Sequence, residues 1–147
     1  MSADISLHSR ADGTQLAYRH LPGSGATIIF LPGYMSDMQG GKALALWQWA
    51  SDQGRAMLLL DYSGCGESEG RFEDATLDIW RDDVLGVINA VTDGPVMLVG
   101  SSMGGWLMLL VARALGARVK AMVGIAAAPD FTDWGYSDSE KAEIAKQ

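Results

Sequence analysis

The chain has 147 residues and a mass of 15.7 kDa, which bounds it to one domain with room for a real core. Apolar residues make up 48% of it, which excludes a disordered chain. A net charge of −7, a pI near 4.6 and the lack of any basic patch argue against a nucleic-acid surface, and the evenly spread acidic charge reads as solubility.

In chain order, residues 5–8 and 15–20 flank Arg10-Ala11-Asp12-Gly13 and predict a hairpin closed by an Asp-Gly turn. Residues 27–31 are a continuous apolar strand ending in Pro32-Gly33. Residues 42–53 have helical spacing, with Ala43, Leu46, Trp47 and Ala50 on one face. A buried strand at 56–60 ends at Asp61, and a glycine- and serine-rich loop follows. A helix is expected over 76–91, facing inward with Leu77, Trp80, Val84, Val87 and Val91. The strand at 96–99 leads through a glycine-rich turn into an apolar helix, and 119–127 is a further strand ending in Ala128-Pro129-Asp130. Strands apolar on both faces, alternating with helices, predict an α/β domain with a mostly parallel sheet covered on both sides. Trp47, Trp80 and Trp106 are expected in the core. Ser137 and Glu140 have the spacing of a capping box opening a last helix.

The turn after the fifth strand carries the chemistry. Gly100-Ser101-Ser102-Met103-Gly104 is a Gly-x-Ser-x-Gly elbow between a strand and a helix. Such a turn strains the central residue and crowds its neighbours two positions away, so glycine fits best there. Ser102 has Gly100 and Gly104 at those positions. Ser101 has Val99 and Met103, which are too bulky, and is excluded. A second literal match, Gly66-Glu67-Ser68-Glu69-Gly70, leads into polar residues and not a helix, so Ser68 reads as a loop serine. Residues 100–105 do not fit a dinucleotide fingerprint, and no Gly-Lys-Ser/Thr follows, which excludes a phosphate loop. No cofactor and no metal are expected. Cys65 is the single cysteine, which excludes an intrachain disulfide and fits a reducing compartment; it reads as a free, incidental thiol.

With these residues in place the chain resembles the α/β-hydrolase superfamily along nearly its whole length. The segments Phe30-Leu31-Pro32-Gly33-Tyr34-Met35-Ser36-Asp37-Met38 and Asp61-Tyr62-Ser63-Gly64-Cys65-Gly66-Glu67-Ser68 carry that resemblance. So do residues 100–106 and 124–132. Together they are similar to the subfamily of palmitoyl-protein thioesterases and acyl-glucuronide esterases with its bacterial relatives. The resemblance implies the α/β-hydrolase fold, with an N-terminal antiparallel hairpin and without its last strands. It implies a serine esterase or thioesterase whose Ser102 Oγ attacks an acyl carbonyl, with the Met103 and Tyr34 backbone N–H groups as the oxyanion hole. The partner is then a small-molecule or acyl-protein ester or thioester. Another serine-nucleophile hydrolase (a peptidase or carbon–carbon hydrolase) and a catalytically silent binding domain are the alternatives.

In this fold the triad runs Ser, then Asp or Glu, then His, yet no histidine follows Ser102. If the hairpin pairs as in the resembled fold, His20 lies roughly 15–20 Å from Ser102 and His8 about 20 Å, so neither reaches it. Asp130 reads as a loop residue and not as the triad acid. The missing histidine leads to the expectation of an N-terminal part of a longer hydrolase, inactive alone. On that reading residues 1–132 are a partial core and 133–147 the start of a cap. The first residues lack a basic region followed by an apolar stretch, and residues 106–112 form an apolar run too short to span a bilayer. A cytoplasmic protein is expected.

Overall fold

The computed structural model of the chain describes residues 4–34 and 36–125. Its strands are β1 (Ser6–Ser9), β2 (Gln15–Leu21), β3 (Ser24–Leu31), β4 (Arg55–Leu60), β5 (Val96–Ser101) and β6 (Val119–Ile125). Its helices are α1 (Gly41–Gln53), α2 (Leu77–Val91) and α3 (Met103–Leu115). The expected cap segment 133–147, its capping box, Asp130 and the last two residues of the expected sixth strand lie outside the described residues.

The six strands form one sheet in the order β1-β2-β4-β3-β5-β6. The β1–β2 and β2–β4 pairs are antiparallel, and β4, β3, β5 and β6 run parallel. This is the mixed, helix-covered sheet that the α/β-hydrolase resemblance implies. The apolar strands serve two faces because side chains alternate along a strand. Ile29, Leu31, Leu58 and Leu60 pack toward α2 and α3, whereas Ile28, Phe30, Met57 and Leu59 pack toward α1. Full burial of such a side chain is worth about 1.5–3 kcal/mol, so the two faces dominate stability.

The helices follow their local signals. The Thr76 hydroxyl caps α2 by accepting the Ile79 N–H at 3.1 Å, and Trp80, Val84, Val87 and Ile88 bury one stripe. α1 buries Ala43, Trp47 and Ala50 and stops at Gly54, which is left-handed at φ 68°. Trp47 and Trp80 are buried as expected; Trp106 is only half-buried. β3 starts three residues earlier than its apolar run. Ser24 pairs with Arg55 through a register shift before Ile28, so pairing with β4 extends a segment of weak strand preference.

Two features frame the sheet. On the hairpin side, the Arg10 guanidinium meets the fully buried Asp83 carboxylate of α2 at 2.9 Å, and Asp83 also accepts the Ser63 N–H at 2.9 Å. On the other side β6 pairs with β5 alone among the described residues. Met122 and Val123 there are nearly half exposed, beside a groove of about 420 Å³ that Leu46, Trp49, Val123 and Ile125 line.

Candidate active site

Parallel strands deliver their C-terminal ends to one edge of a sheet, and the loops after β3, β4 and β5 meet there. Ser102 follows β5 at φ 55° and ψ −120°, the one non-glycine residue with positive φ among those described. A non-glycine residue there carries strain of about 1–3 kcal/mol, which only tight surroundings maintain. The Ser102 N–H donates to the Ile125 carbonyl at 3.0 Å, and its own carbonyl accepts the Gly105 N–H at 2.8 Å. Ser102 is exposed, while Ser101 beside it is buried. Met103 is the first residue of α3, so its N–H has no intrahelical acceptor and lies at the positive end of the helix dipole.

The flanking glycines are needed for close approach. A Cβ on Gly104 would run into the Leu31 carbonyl oxygen and come within 2.7 Å of that of Pro32. One on Gly100 would run into the Gly104 oxygen and lie 2.7 Å from the Gly105 Cα. The elbow therefore packs backbone to backbone against the loop after β3. In that loop a Cβ on Gly33 would stand only 3.3 Å from the Ser102 Cβ, which places Tyr34 one residue from the serine's side chain. Tyr34 occupies a turn closed by the Ser36 N–H on the Gly33 carbonyl at 3.1 Å. Tyr34 is 62% exposed, and its ring meets Phe72 edge-on at 5.6 Å. Thus Ser102, Met103, Gly100, Gly104 and the Tyr34 loop come together at one place.

The other polar candidates are elsewhere or already engaged. Ser68 Oγ accepts the Ala17 N–H at 2.8 Å and donates to the Asp61 carbonyl at 2.7 Å, fastening β2 to the end of β4. Burial, with the negative charges of Asp61, Asp37 and Asp83, pushes the Cys65 thiol up to about 11, so it stays protonated and unreactive at neutral pH. His20 pairs with Leu58, level with Leu98 on β5, three strands across and four residues below Ser102, or roughly 20 Å away. His8 lies on β1, four strands from β5 and about 19 Å off, against Gly86 of α2. Burial draws the His20 pKa down.

Two residues whose contacts the sequence did not reveal also reach this edge. Asp61 and Tyr62, directly after β4, are both 1% exposed. Asp61 Oδ1 accepts the Met38 N–H at 2.8 Å, and Oδ2 accepts the Glu67 N–H at 2.9 Å. Burial pushes the Asp61 carboxyl up despite the opposing pull of those two bonds, and Asp37 and Glu67 add to the rise. Tyr62 Oη donates to the Pro32 carbonyl at 2.7 Å, and burial holds its phenol far above its ordinary value, so it remains a donor. The one available signal was a polar pair ending the apolar run at 56–60.

Residues 28–145 match the model of the alpha/beta hydrolase family. The human protein named palmitoyl-protein thioesterase ABHD10, mitochondrial, is 48% identical over 126 residues, 86% of this chain and 41% of that protein. Its mouse counterpart is 45% identical over 128 residues, 87% of this chain and 43% of that protein. Among solved structures, mouse alpha/beta hydrolase domain-containing protein 10 superposes with a TM-score of 0.85 at 41% identity, over 98% of this chain and 59% of that one. A putative hydrolase from Agrobacterium vitis S4 gives a TM-score of 0.79 at 35% identity, over 98% and 62%. The chain thus spans less than half the length of these curated relatives. They are named mitochondrial, which overturns the cytoplasmic expectation. A lone cysteine reports only a reducing compartment, a condition that more than one compartment meets.

Proposed function

Since the chain belongs to the alpha/beta hydrolase family, we propose that it supplies the nucleophile and oxyanion hole of a serine hydrolase acting on carboxylic esters or thioesters. The observation that carries this reading is the strained, exposed Ser102 at the start of α3, pressed against the loop that bears Tyr34. Ser102 Oγ attacks the acyl carbon and yields its proton to a histidine base. The Tyr34 and Met103 N–H groups stabilise the oxyanion of the tetrahedral intermediate. Its collapse breaks the bond to the leaving thiol or alcohol, which takes the proton from the histidine. Water then hydrolyses the acyl-Ser102 ester by the same route. The relatives are named for palmitoyl-protein thioester hydrolysis, which makes an S-palmitoyl peptide the first substrate to assay.

His8 and His20 are both too far from Ser102 to act as that base, so on this reading it is supplied from outside these 147 residues. The 147-residue chain alone is then inactive: a serine alcohol without its base is a poor nucleophile at neutral pH. The same observation favours one other reading, a catalytically silent domain that kept the elbow. Fluorophosphonate labelling separates them. The 147-residue chain and a longer protein containing it are each compared with their Ser102→Ala variants. Labelling of the longer protein at Ser102 supports the hydrolase. An unlabelled longer protein leaves the silent domain.

A further inference from the structure

We propose that Asp61 and Tyr62 are positioning residues that hold the loop after β3 at both ends and so fix the Tyr34 N–H against Ser102. This rests on the hydrolase reading above. A backbone oxyanion donor works only if held to about 0.5 Å of its productive place, and the Tyr34 N–H belongs to no strand or helix that would hold it. Among the described residues the loop's internal hydrogen bonds are local, from the Ser36 N–H to the Gly33 carbonyl, the Gly40 N–H to the Asp37 carbonyl and the Gln39 N–H to the Asp37 carboxylate, which shape it without anchoring it. The anchors come from the two residues directly after β4. Tyr62 Oη holds the Pro32 carbonyl, two residues before Tyr34, and Asp61 Oδ1 holds the Met38 N–H, four residues after it.

Consecutive residues of an extended chain point to opposite sides, and the two anchors use this. Tyr62 belongs to the core facing α2 and α3, whereas Met38 lies in the core facing α1. The loop is therefore pinned from both faces of the sheet. Each anchor is itself fixed. The Tyr62 ring stacks on Trp80 at 5.2 Å, and Trp80 donates through Nε1 to the Ser63 carbonyl at 2.9 Å. The Asp61 carboxylate is held by the Glu67 N–H and fills the space left by Gly66, where a Cβ would run into it.

The test uses a longer protein that contains this chain, with p-nitrophenyl butyrate hydrolysis, fluorophosphonate labelling rate, thermal unfolding and amide exchange of Tyr34 and Met38 as readouts. Tyr62→Phe keeps the stacked ring and removes only the bond to Pro32. Asp61→Asn keeps the shape but can accept only one of the Met38 and Glu67 N–H groups, setting its NH₂ against the other. Both variants should lower kcat by roughly 10–10²-fold with KM changed by less than about threefold, slow labelling alike, and speed exchange at Tyr34. Ser68→Ala, which loosens the same turn from the β2 side, should lower Tm without that kcat loss. Unchanged kcat in Tyr62→Phe, or an equal kcat loss in Ser68→Ala at matched Tm, overturns the proposal. Unaltered exchange at Tyr34 in both variants overturns it even if the wild type proves inactive. Wild-type inactivity with faster exchange in the variants instead strikes the hydrolase reading and leaves the anchoring intact.

Discussion

The chain writes Gly-x-Ser-x-Gly twice, and the two copies do opposite things with the same letters. Around Ser102 the glycines are there for contact: Gly100 and Gly104 admit neighbouring backbone, and the strain falls on the serine at φ 55°. Around Ser68 the glycines are there for conformation: Gly66 and Gly70 take φ values of 50° and 103°, and the serine is relaxed. Ser102 is exposed, while Ser68 binds its hydroxyl between the Ala17 N–H and the Asp61 carbonyl. The helix decides the difference. Met103 starts thirteen residues of α3 after the first serine, whereas the second leads into a short turn at Phe72–Asp74.

The contrast is broken most severely by Ser102→Ala in a longer, active protein. Loss of the nucleophile should lower turnover on the order of 10⁶-fold, about 8 kcal/mol of transition-state stabilisation, with urea unfolding nearly unmoved. Ser68→Ala should do the reverse. Stranding the Ala17 N–H and the Asp61 carbonyl should cost about 1–3 kcal/mol in urea unfolding, while labelling at Ser102 persists. Gly104→Ala drives a methyl into the Leu31 and Pro32 carbonyls, and should cost a similar 1–3 kcal/mol or so while also slowing labelling. Ser102→Gly releases the strained backbone and should raise stability by roughly 1 kcal/mol as it abolishes labelling.

The smallest effect sharpens the contrast through pH. Asp61 sits in the Ser68 turn with its carboxyl raised above 3.8 by burial. Folding therefore tightens its proton. That contribution to stability is full below 3.8 and is lost as pH rises through the raised value. Asp12, held low by its hydrogen bonds with Arg10, acts with the opposite sign, so wild type and Asp61→Asn are compared at each pH. The Tm of the wild type relative to Asp61→Asn should fall as pH rises through that window, with no matching trend for Ser102→Ala relative to wild type.

What the sequence disclosed follows from how local each cause is. Runs such as 28–31 and 57–60 are apolar on both faces and declare buried parallel strands. The elbow is legible because its steric demand falls on residues two positions from the serine. The anchors are not, since Asp61 and Met38 stand 23 residues apart and meet only once β3 and β4 pair. The Arg10–Asp83 ion pair, 73 residues apart, is hidden for the same reason. β3 shows the limit from the other side: Ser24 and Gly25 lack strand preference, and Ser24 is recruited by Arg55 of the neighbouring strand and by the Gly54 carbonyl.

The bond from the Ser102 amide to the Ile125 carbonyl makes the bend that presents the hydroxyl depend on an outer rail. Fraying of that rail would free the bend to relax toward an ordinary backbone conformation and withdraw the hydroxyl. Reactivity at Ser102 is then tied, through one main-chain link, to how firmly β6 stays paired with β5.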